Sequence, residues 1–253
     1  MPYPPLGAQL IVFSGQIDLE QNTEVVLDAV KAAGFGAIEF GATLHASDPA
    51  ELKALLDRKG LRVAGLHGGL DQDLDSTFKL MELYGTQDLC ISGVGGWQGR
   101  DAGAYLRDTD SLNKMARTCS AHGVFLHYHN HAYEFAPTNE CLSGMELILG
   151  NLDTSVADLC VDVAWVHIGG EDPAIFLRKY DTIAGYVHLK DYVGDRHWVE
   201  LGQGVVPLDS VMRALAGMHR VRWAIYEQDT SGRAAAESCA ISHKYLQDTY
   251  GCH

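Results

Sequence analysis

Residues 36–68 read GAIEFGATLHASDPAELKALLDRKGLRVAGLHG, and this stretch decides the fold. Two short apolar runs, GAIEF (36–40) and RVAGLHG (62–68), enclose the helical pattern DPAELKALLDRKG. Ser47 and Asp48 precede that pattern, with Glu51 three residues after Asp48, and Gly60 follows it. These are start and stop signals for a helix, because an oxygen-bearing side chain can cap free N–H groups and glycine tolerates the turn beyond the last carbonyls. Strand, helix and strand in that order make the repeating unit of a parallel sheet.

Working outward, the same unit recurs along the whole chain. Further strands are predicted at AQLIVF (8–13), DLCISGV (88–94), VFLHYHNH (124–131), LCVDVAW (159–165), GYVHLKD (185–191) and RWAIYEQD (222–229). Helical patterns such as NTEVVLDAVKAAG and SLNKMARTCSAHG lie between them, closed by Gly34 and Gly123. Eight strand units in 253 residues predict an α/β fold, a (β/α)8 TIM barrel, as a single domain over 1–253. No proline-rich or serine-rich linker divides the chain, and its longest loop is DYVGDRHWVELGQG after the seventh strand. A doubly wound open sheet alternates in the same way, but no GxGxxG or P-loop pattern follows the first strand.

The chain carries 33 acidic and 19 basic side chains, a formal charge of −14. Such a surface repels phosphate backbones and anionic headgroups, so neither nucleic acid nor a membrane is an expected partner. The opening MPYPPLGAQLIVFSG has no basic leader, and no run approaches the ~18 apolar residues of a membrane span, so a cytoplasmic protein is expected. Cys90, Cys119, Cys141, Cys160, Cys239 and Cys252 include no CxxC pair and are read as free thiols, the inner five as small core residues.

A barrel builds its active site from the C-terminal ends of its strands. Polar residues gather at those positions here: Glu39 on the second strand and His67 on the third, then His129, His131 and Glu134 after the fifth. Asp162 follows on the sixth, His188, Lys190 and Asp191 on the seventh, and Glu227 with Asp229 on the eighth. Strands one and four supply no comparable group. Carboxylates and imidazoles crowded into one barrel mouth repel or desolvate one another unless a cation or polar substrate compensates them. Carboxylate oxygens with imidazole suit Mn²⁺, Mg²⁺, Co²⁺ or Zn²⁺, and the lack of thiolate among these groups argues against a structural zinc site.

The pieces HYHNHAYEF (127–135), VDVAW with GGEDP (161–173), YVHLKDY (186–192), ELGQG (200–204) and YEQD (226–229) resemble the sugar phosphate isomerase/epimerase superfamily, the xylose isomerase-like barrels that also include the apurinic endonucleases. The resemblance covers nearly the whole chain. It implies one divalent metal ion, Mn²⁺ first and Mg²⁺, Co²⁺ or Zn²⁺ as alternatives, held by a strand-five carboxylate with Asp162, His188 and Glu227. Either Glu134 or His129 is the strand-five ligand; Glu134 preserves the family's charge balance, with His129 as a neighbouring base or substitute ligand.

The implied chemistry is proton removal next to a carbonyl of a small sugar or keto-sugar, through an enediolate, as an isomerase or epimerase of carbohydrate metabolism, with Glu134, Glu227 and His129 as catalytic groups. His67, Trp165, Lys190, Glu39 and Arg196 are expected to contact substrate, and Arg196, His197 and Trp198 to form a lid in the loop after strand seven. Barrels of this kind often pair, so a homo-oligomer is among the expected states. A lyase or dehydratase of a keto-sugar or keto-inositol shares the first half-reaction, and histidine at the end of strand five favours it as a general acid. A non-catalytic sugar-binding barrel needs fewer titratable groups. An apurinic endonuclease needs more metal ligands and a less acidic chain.

Overall fold

The computed structural model describes residues 3–41, 48–97 and 101–252. Eight parallel strands close into a barrel, with β1 (Leu6–Gln9), β2 (Ala37–Gly41), β3 (Arg62–Gly69), β4 (Asp88–Ser92), β5 (Phe125–His129), β6 (Ala157–Asp162) and β7 (Ala184–Leu189) each beside the next. A short hairpin, β8 (Asp191–Val193) with β9 (His197–Val199), intervenes before β10 (Trp223–Tyr226), which pairs with both β7 and β1 and shuts the ring. Closure excludes the doubly wound open sheet.

Helices α1 (Ile11–Ser14), α2 (Thr23–Ala33), α3 (Pro49–Lys59), α4 (Leu74–Tyr84), α5 (Ala102–Ala121), α6 (Gly144–Asn151), α7 (Val163–Ile168), α8 (Pro173–Lys179) and α9 (Leu208–Leu215) lie between the strands, and α10 (Ala235–Tyr250) follows the last of them. Asp48 caps α3 by accepting from the Ala50 N–H at 2.8 Å, and Gly34 and Gly60 end α2 and α3 in left-handed geometry. Ser47, the other residue of that start signal, lies outside the described residues. The run AQLIVF divides, since β1 takes residues 6–9 and Ile11–Phe13 turn into α1. An apolar run this short has no periodicity of its own to separate strand from helix.

Alternation along the strands sorts the side chains into two sets. Val187 and Leu189 of β7, like Leu159 and Val161 of β6, join the large core between barrel and helices. Their neighbours Tyr186 and Cys160 join a small inner cluster with Ala37, Ala64, Cys90 and Ile225 inside the barrel. A period of two carries the inner set upward to Asp162, His188 and Glu227 at the C-terminal ends. All six cysteines are free, but Cys141 is exposed, not in the core, at a backbone φ of 70°. No described helix is long and apolar enough to cross a membrane.

Candidate active site

His129, Asp162, His188 and Glu227 converge at the upper end of the barrel, with one potential ligand atom of each within 4.8 Å of the others. All four are buried. Asp162 ends β6 and caps α7, its Oδ1 accepting from the N–H groups of Ala164 and Trp165 at 2.9 Å each. Among the described residues none donates a hydrogen bond to its buried Oδ2. Burial pushes the Asp162 carboxyl up to about 7 against the opposing pull of Lys190. A carboxylate oxygen without a hydrogen-bond donor, beside two imidazoles and a second carboxylate, is what a divalent cation would satisfy, so the donor set fits the expected metal.

His188 is fixed from below. Its Nε2 lies 3.0 Å from Glu39 Oε2, and its Nδ1 faces Glu227 Oε2. A carboxylate holding one ring nitrogen leaves the other to bind a metal in a set orientation. Burial works against a charge on Glu39, yet the charges and hydrogen bonds of His188 and His67 hold its carboxyl down to about 2. Burial likewise disfavours a proton on His188, but Glu39 and Glu227 raise it well above the usual histidine range.

Glu39 is wholly buried, with His67 Nδ1 a further 3.2 Å partner. The expectation that it touches substrate is therefore corrected: it orients two imidazoles from beneath. His67 itself lines the cavity and reaches Ser92 Oγ at 3.4 Å.

Lys190 is also fully buried. Its ammonium lies 2.8 Å from Glu227 Oε1, 2.8 Å from Asp229 Oδ1 and 3.7 Å from Asp162 Oδ2, under the rings of Trp198 and Trp165. Burial would strip its proton, but Glu227, Asp162 and Asp229 hold it charged. Burial raises Glu227 in turn, and Lys190 and His188 outweigh this to keep it well below the carboxylate range.

The expected ligand Glu134 stands apart from this group. It sits in the 3₁₀ turn Tyr133–Phe135, where its Oε1 accepts from Tyr128 OH at 2.7 Å and its Oε2 from the His131 N–H at 2.8 Å. The turn swings the carboxylate back under the loop, and His129, the last residue of β5, occupies the strand-five position among the four converging residues. Burial pushes Glu134 up to about 8. Burial, with the charges of His188, His131 and His67, holds His129 well below the histidine range, so its ring is neutral.

A cavity of about 420 Å³ opens over these residues. His131 lines it, kept neutral by burial and the Lys190 charge, which lower it to about 3. Gln9, Ser92 and Trp97 line it too, although strands one and four show no titratable group at their C-terminal ends in the sequence. Neutral amides and hydroxyls at strand ends carry no charge-pairing signal; only their position in the alternation marks them. Trp165 packs edge-on to Trp198 and borders His131. Arg196 is placed elsewhere, exposed at the tip of the β8–β9 turn with a φ of 66°, and is not among the residues lining the cavity. Alternation along β9 turns Trp198 inward and His197 outward, while Arg196 precedes the strand in the exposed turn.

Against known proteins, residues 27–247 match the model of the xylose isomerase-like TIM barrel family. An inosose dehydratase of Geobacillus kaustophilus is 29% identical over 192 residues, covering 66% of this chain and 61% of the relative. The chain spans about half to three-fifths of the length of the curated relatives it matches. A sugar phosphate isomerase/epimerase from Parabacteroides distasonis superposes with a TM-score of 0.84 at 18% identity, over 100% of this chain and 96% of the other. The IolI protein, solved with a bound zinc atom, superposes with a TM-score of 0.74 at 14% identity, over 96% and 97%. With the matched region spanning all but the first strand of the barrel, the chain belongs to the xylose isomerase-like TIM barrel family.

Proposed function

We propose that this barrel is a divalent-metal-dependent enzyme that removes the proton next to the carbonyl of a small sugar or keto-polyol. The observation that carries the reading is the convergence of His129, Asp162, His188 and Glu227 beneath an open cavity. These four residues would hold the ion, in keeping with the zinc bound by one structural neighbour. When bound, a divalent cation neutralises the oxyanion that develops as the proton leaves. The neutral imidazole of His131 faces the cavity as the proton acceptor. Lys190 keeps Glu227 ionised, and Trp165 and Trp198 keep water from that ion pair.

Two outcomes share this half-reaction. An isomerase or epimerase returns the proton to another carbon or face; a dehydratase lets the enolate expel a β-hydroxyl, which leaves as water with the proton that His131 took. Epimerisation calls for a second base opposite the first, and Glu134, one of the catalytic groups expected from the sequence, is turned toward Tyr128. That geometry and the inosose dehydratases among the relatives favour elimination.

The test is incubation of protein loaded with Mn²⁺, Co²⁺ or Zn²⁺ with inosose and with ketohexoses in D₂O, followed by NMR. Loss of water with a conjugated ketone supports dehydration. Deuterium incorporation into an isomer supports isomerisation, and no turnover of either class by metal-bound protein overturns the reading. Glu227→Gln should lower turnover by on the order of 10³ or more with the fold retained, the scale of several kcal/mol of lost stabilisation. Full activity in that variant would remove Glu227 from the mechanism.

A further inference from the structure

Directly beneath the candidate active site the barrel holds a different donor set. Cys90 on β4, Cys160 on β6 and His188 on β7 bring two sulfurs and one imidazole nitrogen within 4.8 Å of one another, all buried. Two further groups border them. Glu39 Oε2 lies 4.0 Å from Cys90 Sγ and 3.0 Å from His188 Nε2, and His129 Nδ1 lies 3.6 Å from Cys160 Sγ. Among the described residues, these are the sulfurs that share a candidate metal group.

Packing alone does not call for this composition. The other members of the inner layer are Ala37, Ala64, Tyr186 and Ile225, so the volume is filled by alanine, an aliphatic chain and an aromatic ring as well as by thiols. A disulfide is the first alternative use of two neighbouring cysteines, and the topology opposes it. β5 runs between β4 and β6. Strands about 4.8 Å apart put the two Cα atoms roughly twice that distance from each other, beyond the ~7 Å that an S–S bond can bridge. An ion of the zinc group has longer reach, since each metal–sulfur bond is about 2.3 Å and the ion sits between the sulfurs.

We propose that Cys90, Cys160 and His188, with Glu39 as the fourth donor, form a second metal site inside the barrel, selective for a thiophilic divalent cation such as Zn²⁺, Cd²⁺ or Co²⁺. Two sulfurs, one nitrogen and one oxygen suit tetrahedral, softer ions, whereas the oxygen- and nitrogen-rich group above suits Mn²⁺ or Mg²⁺ equally well. His188 is common to both, its Nε2 facing the lower set and its Nδ1 the upper. Ligation through sulfur takes the thiolate form, so each ion bound releases two thiol protons to solvent and the cation then compensates the thiolates. The site would set metal preference: a soft ion in the lower set takes Glu39 away from His188 and loosens the upper group.

The experiment is a Co²⁺ titration of chelator-stripped full-length protein, read by absorption and by bound metal per chain. It is run on the wild type, on Cys90→Ser/Cys160→Ser and on Asp162→Ala/Glu227→Gln, each checked for fold by circular dichroism. Sulfur-to-cobalt charge-transfer absorption is expected in the wild type and in the upper-site variant, and its loss in the cysteine variant. Absorption that is absent from both folded cysteine-containing proteins, or that persists in the cysteine variant, overturns the site. His188 serves both groups, so the wild type is expected to hold one Co²⁺ at a time. The upper site fails separately if Mn²⁺ uptake by the cysteine variant is as weak as by Asp162→Ala/Glu227→Gln.

Discussion

Removing the Glu39 carboxylate would let the His188 ring tilt and let either of its nitrogens carry the proton. Glu39→Ala should therefore weaken upper-site metal binding by roughly 10- to 100-fold, the usual cost of losing a carboxylate behind a metal-binding histidine. Isothermal titration with Mn²⁺ measures it, and unchanged affinity would deny Glu39 that role. Glu134 makes a prediction of the opposite kind. Its carboxyl is raised from 4.5 to about 8 by burial, so between those values the metal-free native state holds a proton that the unfolded chain has released. Folding takes up that proton, and the Glu134 contribution to stability falls as pH rises through this window. Glu134→Gln should flatten that part of the stability profile, by an amount on the order of a few kcal/mol across it, measurable by urea unfolding at a series of pH values. The sequence shows Glu134 as a carboxylate near a strand end. Which way it faces depends on a three-residue 3₁₀ turn and on Tyr128 six residues before it, local geometry that no charge pattern reports.

Among the elements, the segment after β7 departs furthest from its sequence. DYVGDRHWVELGQG has the composition of a loop, yet it folds as the β8–β9 hairpin organised around one side chain. Asp191 accepts from the N–H groups of Tyr192 and Val206 on Oδ1 and of Gly202 and Gly204 on Oδ2, at 2.9 to 3.1 Å. A Cβ on residue 204 would fall 2.1 Å from Asp191 Oδ1, so this glycine admits the carboxylate. Asp191→Ala leaves buried donors without acceptors at about 1–3 kcal/mol each. The expected outcome is a lower melting temperature with new protease cleavage confined to residues 191–206; cleavage elsewhere would place the weak point outside the hairpin. The barrel strands, by contrast, are legible because alternation repeats in each of them. From β2 onward every expected strand overlaps an observed one, and overruns such as Ala164 and Trp165 belong to short helices whose apolar residues continue the strand pattern.

For the whole molecule, the four converging side chains come from β5, β6, β7 and the end of β10, four neighbouring strands of the barrel, so an ion held by them ties one half of the ring together. A ligand bound only by the native state stabilises it by about 2.7 kcal/mol at a hundredfold excess over Kd. Mn²⁺ should raise the melting temperature of the wild type and leave Asp162→Ala/His188→Ala unmoved. An equal shift in both would locate the ion elsewhere. The convergence was visible at strand ends in the sequence because a closed barrel brings all such ends to one face. Glu39 beneath His188 was not, since only the packed interior shows which carboxylate faces which ring nitrogen.

The seam between β1 and β10 joins Leu6 to Ala224 and Ala8 to Tyr226, partners about two hundred residues apart along the chain. A contact of that span forms late, because the entropy of drawing distant segments together is repaid only once the intervening units are in place. Glu227 follows β10 directly, so the candidate metal group is completed by the same event that welds the ring. In refolding, cation capture should lag the rise of helical signal and coincide with the final slow phase, which makes the bound ion a clock for barrel closure.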